Sequence, residues 1–239
     1  MTGLIDSTEM YLRTLYELRE EGIPPLRARL VERLHVSAPA ASESTSRLAG
    51  EGLVALAEDR TVQFTEKGLA RATAVMRKHR LAELLLTRVI GLDWALVHNE
   101  ACRWEHVISD EVEVRLTKIL GDPKKCPFGN TIPTGAFDRP TEPRPPVPLS
   151  LLAAADFAGS RATPVTVSWI SERLQTDEHT MRQLRDGGVV PSATVIVRGR
   201  GDIVEIISSE EAPTREDSPA VELSRRGAGL IYVERSPRP

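Results

Sequence analysis

Glycine and proline crowd one stretch of this chain and divide it in two. Gly121, Pro123, Pro127, Gly129, Pro133 and Gly135, then Pro140, Pro143, Pro145, Pro146 and Pro148, leave no room between residues 121 and 149 for a long helix or a central strand. The stretch reads as a linker, partly extended and semi-rigid. Before it the apolar residues recur at helical intervals, and after it they alternate as in strands. A chain of 239 residues divided this way holds two or three small domains.

The first 65 residues or so read as three helices and a hairpin. Tyr11, Leu12, Leu15, Tyr16 and Leu18 give one apolar face to a helix from Met10 to about Gly22, with Asp6, Ser7 and Thr8 as N-cap candidates and Pro24-Pro25 beyond its end. Leu26, Leu30, Val31 and Leu34 mark a second helix. Ser37 caps a third, which tolerates Pro39 in its first turn. Leu53–Leu56 and Val62–Phe64 then flank a polar turn at Glu58-Asp59-Arg60. That order is a winged helix-turn-helix.

From Gly68 to Leu120 the pattern is helical, broken near Gly91-Leu92-Asp93. Leu81, Leu84, Leu85, Val89 and Ile90 are more than one stripe can hide, and a dimer interface is a natural use for the surplus. Beyond the linker, strands are expected at 165–170, 194–197, 203–206, 221–223 and 231–233, with one short helix at about Asp177–Leu184. The fold class is therefore mainly α in the N-terminal two-thirds, a winged helix-turn-helix plus a helical dimerisation domain, followed by a small SH3-like β-barrel. The expected boundaries are 1–73, 74–140, a Pro-rich linker at 141–149, and 150–239.

Charge narrows the function. The chain carries a net −3, so it is no general nucleic-acid coat, and any DNA contact must be local. No apolar run is long enough to span a membrane, no secretory leader is visible, and two cysteines are too few for a disulfide framework. A cytoplasmic protein with reduced thiols and no membrane partner is expected.

The densest chemistry lies in the middle segment. His79 and Glu83 are four apart on one helix face. His98, Cys102, Glu105 and His106 are likewise spaced by helical turns, which puts thiolate, carboxylate and imidazole within reach of one divalent ion. Sulfur and imidazole select late transition metals over magnesium or calcium. A Cys102–His106 nucleophile and base is the rival reading, but no Gly-rich oxyanion loop lies nearby, and no enzymatic activity is expected.

Together, Ser7–Thr14, Pro25–Arg29, Ala74–Glu83 and Glu100–His106 resemble the diphtheria toxin repressor / iron-dependent regulator family of metal-activated transcription repressors. The resemblance is strong over about residues 4–130 and weak in the last third. It implies two metal sites per subunit. Met10, Cys102, Glu105 and His106 match the primary, activating site. His79, Glu83 and His98 match the ancillary site, so the resemblance separates His98 from Cys102 where spacing joins them. Asp177 and Thr180 align with the two polar ligands that the SH3-like domain contributes in the family. Thioether and thiol favour Fe(II), with Co(II), Ni(II), Zn(II) or Mn(II) able to substitute in vitro.

The implied partner is a double-stranded DNA operator with an inverted repeat, bound by a homodimer, singly or as two dimers per operator. The implied role is iron-dependent repression of iron-homeostasis genes. Residues 1–73 hold nine Lys/Arg against eleven Asp/Glu, so few cations serve DNA: Arg27, Arg29, Arg47 and, at the wing tip, Arg60. Ser37, Pro39, Ala40 and Ser42 open the third helix with small side chains that allow close approach to the major groove and to thymine methyls. Ser7, Ala28, Glu43 and Ser44 complete the DNA-facing set. Glu43 and Gly50 depart from the Gln and Arg of known relatives. The alternatives are a winged-helix regulator answering to Mn, Zn or a small molecule, or a metalloenzyme with an open coordination position.

Overall fold

A computed structural model of the chain describes residues 7–134, 149–158, 163–208 and 220–235. The proline-rich residues 135–148, the N-cap candidate Asp6 and the tail Ser236–Pro239 lie outside these.

Helix α1 (Ser7–Glu20) begins one turn before Met10 and buries Tyr11, Leu12, Leu15, Tyr16 and Leu18, as their spacing requires. Gly22, at φ +68°, and the two prolines after it turn the chain away. α2 (Arg27–Leu34) buries Leu30 and stops at His35 in the left-handed region. The Ser37 side chain accepts from the Ala40 N–H and starts α3 (Ala38–Gly50), with Pro39 inside the first turn. β1 (Val54–Leu56) and β2 (Val62–Phe64) pair antiparallel, Val54 opposite Phe64, to form the wing. Leu30, Leu48, Leu53, Val62, Ala72 and Met76 close a core around the α1 face.

α4 (Glu66–Leu85) is capped by the Thr65 side chain. It is one continuous helix across residue 73, and its first turn can pass under the wing only because residue 68 is glycine: a Cβ there would sit 1.8 Å from the Leu53 carbonyl oxygen. It continues into a π-helical turn (Leu86–Ile90), then Gly91 at φ +76° and a 3-10 turn (Trp94–Leu96) lead into α5 (Val97–Trp104). α6 (Asp110–Ile119) follows, capped by Ser109.

Two sequence expectations need correcting here. Residues 123–134 are not an extended linker. Cys126, Phe128 and Ile132 are buried in the second core, and the Phe128 carbonyl accepts from the Ile170 N–H at 2.9 Å. Gly129, at φ +84°, lies where a Cβ would meet the Ser168 carbonyl at 2.2 Å, so the loop seats flush on a strand. Nor are Leu81 and Leu84 surplus: both are buried in the same core. Of that surplus Val89 and Ile90 are exposed, and Val107, Val112, Val114 and Ile119 add further exposed apolar side chains to the middle segment, the six between 44% and 78% accessible.

The C-terminal unit is an antiparallel sheet in the order β3-β8-β4-β5-β6-β7. Its strands are β3 (Leu149–Ser150), β4 (Thr163–Ile170), β5 (Thr194–Arg200), β6 (Ile203–Ser208), β7 (Val221–Ser224) and β8 (Ile231–Arg235). α7 (Leu151–Ala158), α8 (Glu172–Gln175), α9 (Glu178–Asp186) and α10 (Arg225–Ala228) join or cover them. One core runs from Leu81 and Leu84 through Phe128 to Val167, Val197 and Val233 and welds this unit to the middle helices. α8 is thereby held against α5 at the level of the residues considered next. Among the described residues no helix is long and apolar enough to cross a membrane.

Candidate metal centre

Ionisable residues from four elements meet where α1, α4, α5 and α8 converge. His79 and Glu83 come from α4, His98 and Cys102 from α5, Glu105 and His106 from the turn after α5, Glu9 and Arg13 from α1, and Glu172 from α8. His79, Glu83, His98, Glu105 and Glu172 are all under 5% exposed. Burying so many charges is tolerable only if they pair, and they do.

His79 bridges two carboxylates, with Nδ1 2.6 Å from Glu105 Oε2 and Nε2 2.8 Å from Glu83 Oε1. Burial and Arg13 oppose a charge on its ring, but Glu83 and Glu105 outweigh them and raise its pKa well above the ordinary value. His98 stands edge-on to His79, 3.4 Å from Glu83 Oε1 through Nδ1 and 3.5 Å from Cys102 Sγ through Nε2. Burial opposes its charge too, and Cys102 and Glu83 carry its pKa up to about 9. His106 Nδ1 lies 2.6 Å from Glu9 Oε2, and Nε2 faces Glu105 Oε1 at 3.2 Å; the Glu105 and Glu9 carboxylates raise its pKa to about 9. Burial works against a charge on the Cys102 thiol, yet Arg13 and His98 bring it down to about 6, so it is a thiolate at neutral pH.

Arg13 sits at the middle of this set. Its guanidinium donates to Glu105 at 2.9 and 3.1 Å, to Cys102 Sγ at 3.1 Å, to Glu172 at 3.0 Å and to Glu17 at 2.9 Å, and lies 3.4 Å from His98 Nε2. Arg80, fully buried, ties Glu172 to Glu20 on the other side.

The donor set suits a soft divalent cation. The ligand atoms of His79, His98 and Cys102 lie within 4.8 Å of one another. Among the described residues, Glu83 Oε2 and Gln175 Oε1 are buried with no hydrogen-bond partner, which is costly unless a cation or water answers them.

The expected ligands fall unequally. His79, Glu83, His98, Cys102, Glu105 and His106 come together. Met10 is on the correct turn of α1, partly buried, but the side chains that α1 sends to His106, Cys102 and Glu105 are those of Glu9 and Arg13. Asp177 and Thr180 do not reach the cluster. Asp177 caps α9, accepting from the His179 and Thr180 N–H groups, and the Thr180 hydroxyl donates back to it at 2.6 Å. Both line a surface cavity with Gln183, Glu222 and Arg226. α9 lies one short helix too far along, and the residues of the C-terminal unit that are buried at this junction are Glu172 and Gln175 of α8. The signal for them was present: a Glu and a Gln three apart, directly after a strand and behind a capping Ser171.

On the other face of the N-terminal unit, Ser37, Pro39, Glu43 and Arg47 are exposed along α3, Ala40, Ser42 and Ser44 half-exposed, and Arg60 exposed at the wing tip, at φ +66°. Ala28 and Arg29 are exposed on α2, with Arg27 half-buried and Arg29 paired with Glu32 at 3.0 Å. Arg47 donates to Thr8 and to Glu51. The side chain of Ser7 lies outside the described residues. The first turns of the exposed α3 surface thus carry small side chains, with Glu43 as the helix's one acidic group in the middle and Arg47 as the exposed cation further along.

Comparison with known proteins gives consistent matches. The family described as "Iron dependent repressor, N-terminal DNA binding domain" matches residues 3–62, and "Iron dependent repressor, metal binding and dimerisation domain" matches residues 65–134. The iron-dependent repressor IdeR of Mycobacterium tuberculosis (strain H37Rv) is 47% identical over 217 residues, 90% of this chain and 94% of that protein. The diphtheria toxin repressor of Corynebacterium diphtheriae is 48% identical over 204 residues, 85% of this chain and 89% of that one. A solved manganese-dependent transcriptional repressor in complex with manganese superposes with a TM-score of 0.75 at 29% identity, covering 96% of this chain and all of that one.

Proposed function

Because the chain belongs to the iron-dependent repressor family of DNA-binding transcription repressors, which are not enzymes, we propose that it is an Fe(II)-activated repressor of iron-homeostasis genes that binds an inverted-repeat operator as a homodimer. The observation that carries this reading is the convergence of α1, from the DNA-binding unit, with α4, α5 and α8 on one buried cluster. Whatever occupies the cluster is felt by the segment that positions α3.

In this reading Met10, Cys102, Glu105 and His106 hold the activating ion, and His79, Glu83 and His98 the ancillary one, with Glu172 and Gln175 as the donors from the C-terminal unit. A divalent cation bound there supplies two positive charges to a set of buried carboxylates and a thiolate. The thiolate and the Met10 thioether favour Fe(II), and Co(II), Ni(II), Zn(II) or Mn(II) substitute in vitro. Val89, Ile90, Val107, Val114 and Ile119 supply the apolar surface for a second copy. A dimer must hold its two α3 helices about 34 Å apart to use both half-sites. Fixing α1 against α5 sets that spacing, and a coupling of about 1–3 kcal/mol gives a 5- to 150-fold change in operator affinity.

Fluorescence anisotropy of a labelled inverted-repeat operator tests this, with metal-free protein titrated anaerobically with Fe(II), then with Mn(II), at fixed salt. Fe(II) should raise affinity tenfold or more, and Cys102→Asp should weaken that response or shift it towards Mn(II). Equal affinity with and without chelator would overturn the proposal and favour a small-molecule regulator.

The proton inventory gives a second expectation. His79, His98 and His106 are imidazolium in the metal-free protein at pH 7, yet a histidine ligates only when neutral. Metal uptake at pH 7 should therefore release protons. In calorimetry, the observed enthalpy should change linearly with the ionisation enthalpy of the buffer. The slope should shrink above pH 9, where His98 and His106 have already lost theirs. A zero slope at pH 7 would mean that these histidines are not ligands.

A further inference from the structure

The outward face of α3 carries one charge at odds with a polyanion. Pro39, Ala40, Glu43, Ser46 and Arg47 lie along that face, and Ala41, Thr45 and Leu48 behind it are buried. Glu43 is exposed in the second turn, and it is the longest side chain between Ala38 and Thr45. At helical spacing its ion-pair partner would be Arg47, four residues on. Arg47 is engaged elsewhere: its Nη1 donates to Thr8 Oγ1 at 2.8 Å and to Glu51 Oε1 at 3.0 Å. Among the described residues the Glu43 carboxylate has neither an ion pair nor a hydrogen bond. In the free protein water solvates it. Carried into a groove between phosphates, it loses that water and gains repulsion unless a donor meets it.

A carboxylate only accepts, and two base edges offer donors in the major groove: the N4 amino group of cytosine and the N6 amino group of adenine. The adenine donor lies between two acceptors, its own N7 and the O4 of the paired thymine, which repel a carboxylate from both sides. The cytosine donor has an acceptor, guanine O6, on one side only. We propose that Glu43 is a specificity-determining residue that reads a cytosine in each half-site of the operator, its carboxylate accepting from the N4 amino group. The inference rests on the proposed function for the placement of α3 in the major groove. The small residues before and after Glu43 let the helix backbone approach, so the carboxylate is the first group of these turns to reach the base edges. Two-fold symmetry repeats the cytosine, inverted, in the second half-site. Everywhere else on DNA the same carboxylate is repelled, so Glu43 trades general affinity for discrimination.

Selection from a random-sequence duplex library tests this, with the full-length protein held anaerobically in Fe(II) at fixed salt and Glu43→Gln and Glu43→Ala run alongside. Both substitutions fall on an exposed side chain without partners, so folding is not at stake. The native protein should enrich an inverted repeat with cytosine at one position of each half. Glu43→Gln should change that position to adenine, whose N6 and N7 an amide pairs together, and Glu43→Ala should leave it unspecified, with the other positions unchanged. In anisotropy, replacing the cytosine by thymine exchanges a donor for an acceptor and should weaken native binding about tenfold to a hundredfold. Duplexes lacking the cytosine should bind both variants more tightly than they bind the native protein. The same motif from native protein and Glu43→Ala, or a Glu43-dependent position filled by another base, would overturn the inference and leave the repressor reading intact. No metal-dependent enrichment by the native protein would overturn the repressor reading, and this inference with it.

Discussion

Arg80→Ala should destabilise the metal-free protein by about 3–5 kcal/mol, the range measured when one partner of a buried ion pair is removed. Arg80 is fully buried on α4, and its guanidinium forks between Glu20 at the end of α1 and Glu172 on α8, 3.0 Å and 2.9 Å away, with the Thr131 carbonyl as a third acceptor. Burial resists the charge, and the two carboxylates more than compensate, raising the arginine further above its ordinary value. Without it, Glu20 and Glu172 both lose a buried cationic partner, and Arg13 is the arginine that remains on Glu172. Urea denaturation of metal-free protein is the measurement. Arg80→Lys should fall between native and Ala, because one ammonium cannot span two carboxylates as a planar fork does. Adding Glu172→Gln to Arg80→Ala should restore part of the loss, since a buried carboxylate that has lost one of its two arginines goes with it. A loss under about 1 kcal/mol for Arg80→Ala would mean that water reaches this junction and the pairs are worth no more than surface ones.

What the sequence revealed and what it hid follow one division. Features set by local spacing were legible: the apolar face of α1, the Ser37 cap with Pro39 behind it, the two strands of the wing, and the pairing of His79 with Glu83 four residues on. Features set by distant parts of the chain were not. Arg13 sits beside Leu12 and reads as the polar edge of an amphipathic helix; only the arrival of Glu105 and Cys102, some 90 residues later, turns it inward. Glu172 belongs to a four-residue helix with no period to detect, and the resemblance to a family was weakest there. α7 (Leu151–Ala158) went unread because its run Leu-Leu-Ala-Ala-Ala carries no polar face to give it a period. Residues 123–134 were misread because proline and glycine content signals the absence of regular structure but not of packing, and Phe128 and Ile132 bury well without a helix or strand around them.

Arg13→Gln should move stability and metal affinity in opposite directions. In the metal-free protein the guanidinium is the cation that Cys102, Glu105 and Glu172 share, held there although burial opposes it. Removing it leaves a thiolate and two buried carboxylates without that partner, a loss on the order of 3–5 kcal/mol in metal-free stability. The same donors are those proposed to hold the ions, so Arg13 competes for them: any interaction made only in the metal-free state lowers apparent metal affinity by its own free energy. Relieved of that competitor, Arg13→Gln should bind Co(II) or Fe(II) at least tenfold more tightly, and metal should raise its melting temperature further than it raises that of the native protein. The Cys102 thiol gives an independent readout. Arg13 is the largest influence lowering it to about 6 against burial, so in metal-free Arg13→Gln it should titrate higher and be more protonated at pH 7, as followed by thiolate absorbance in a Cys126→Ser background. Unchanged metal affinity would make Arg13 a bystander to the ion. Reduced affinity would make it a residue that holds Glu105 and Cys102 in place for binding, since a side chain cannot both compete for donors and be required to present them.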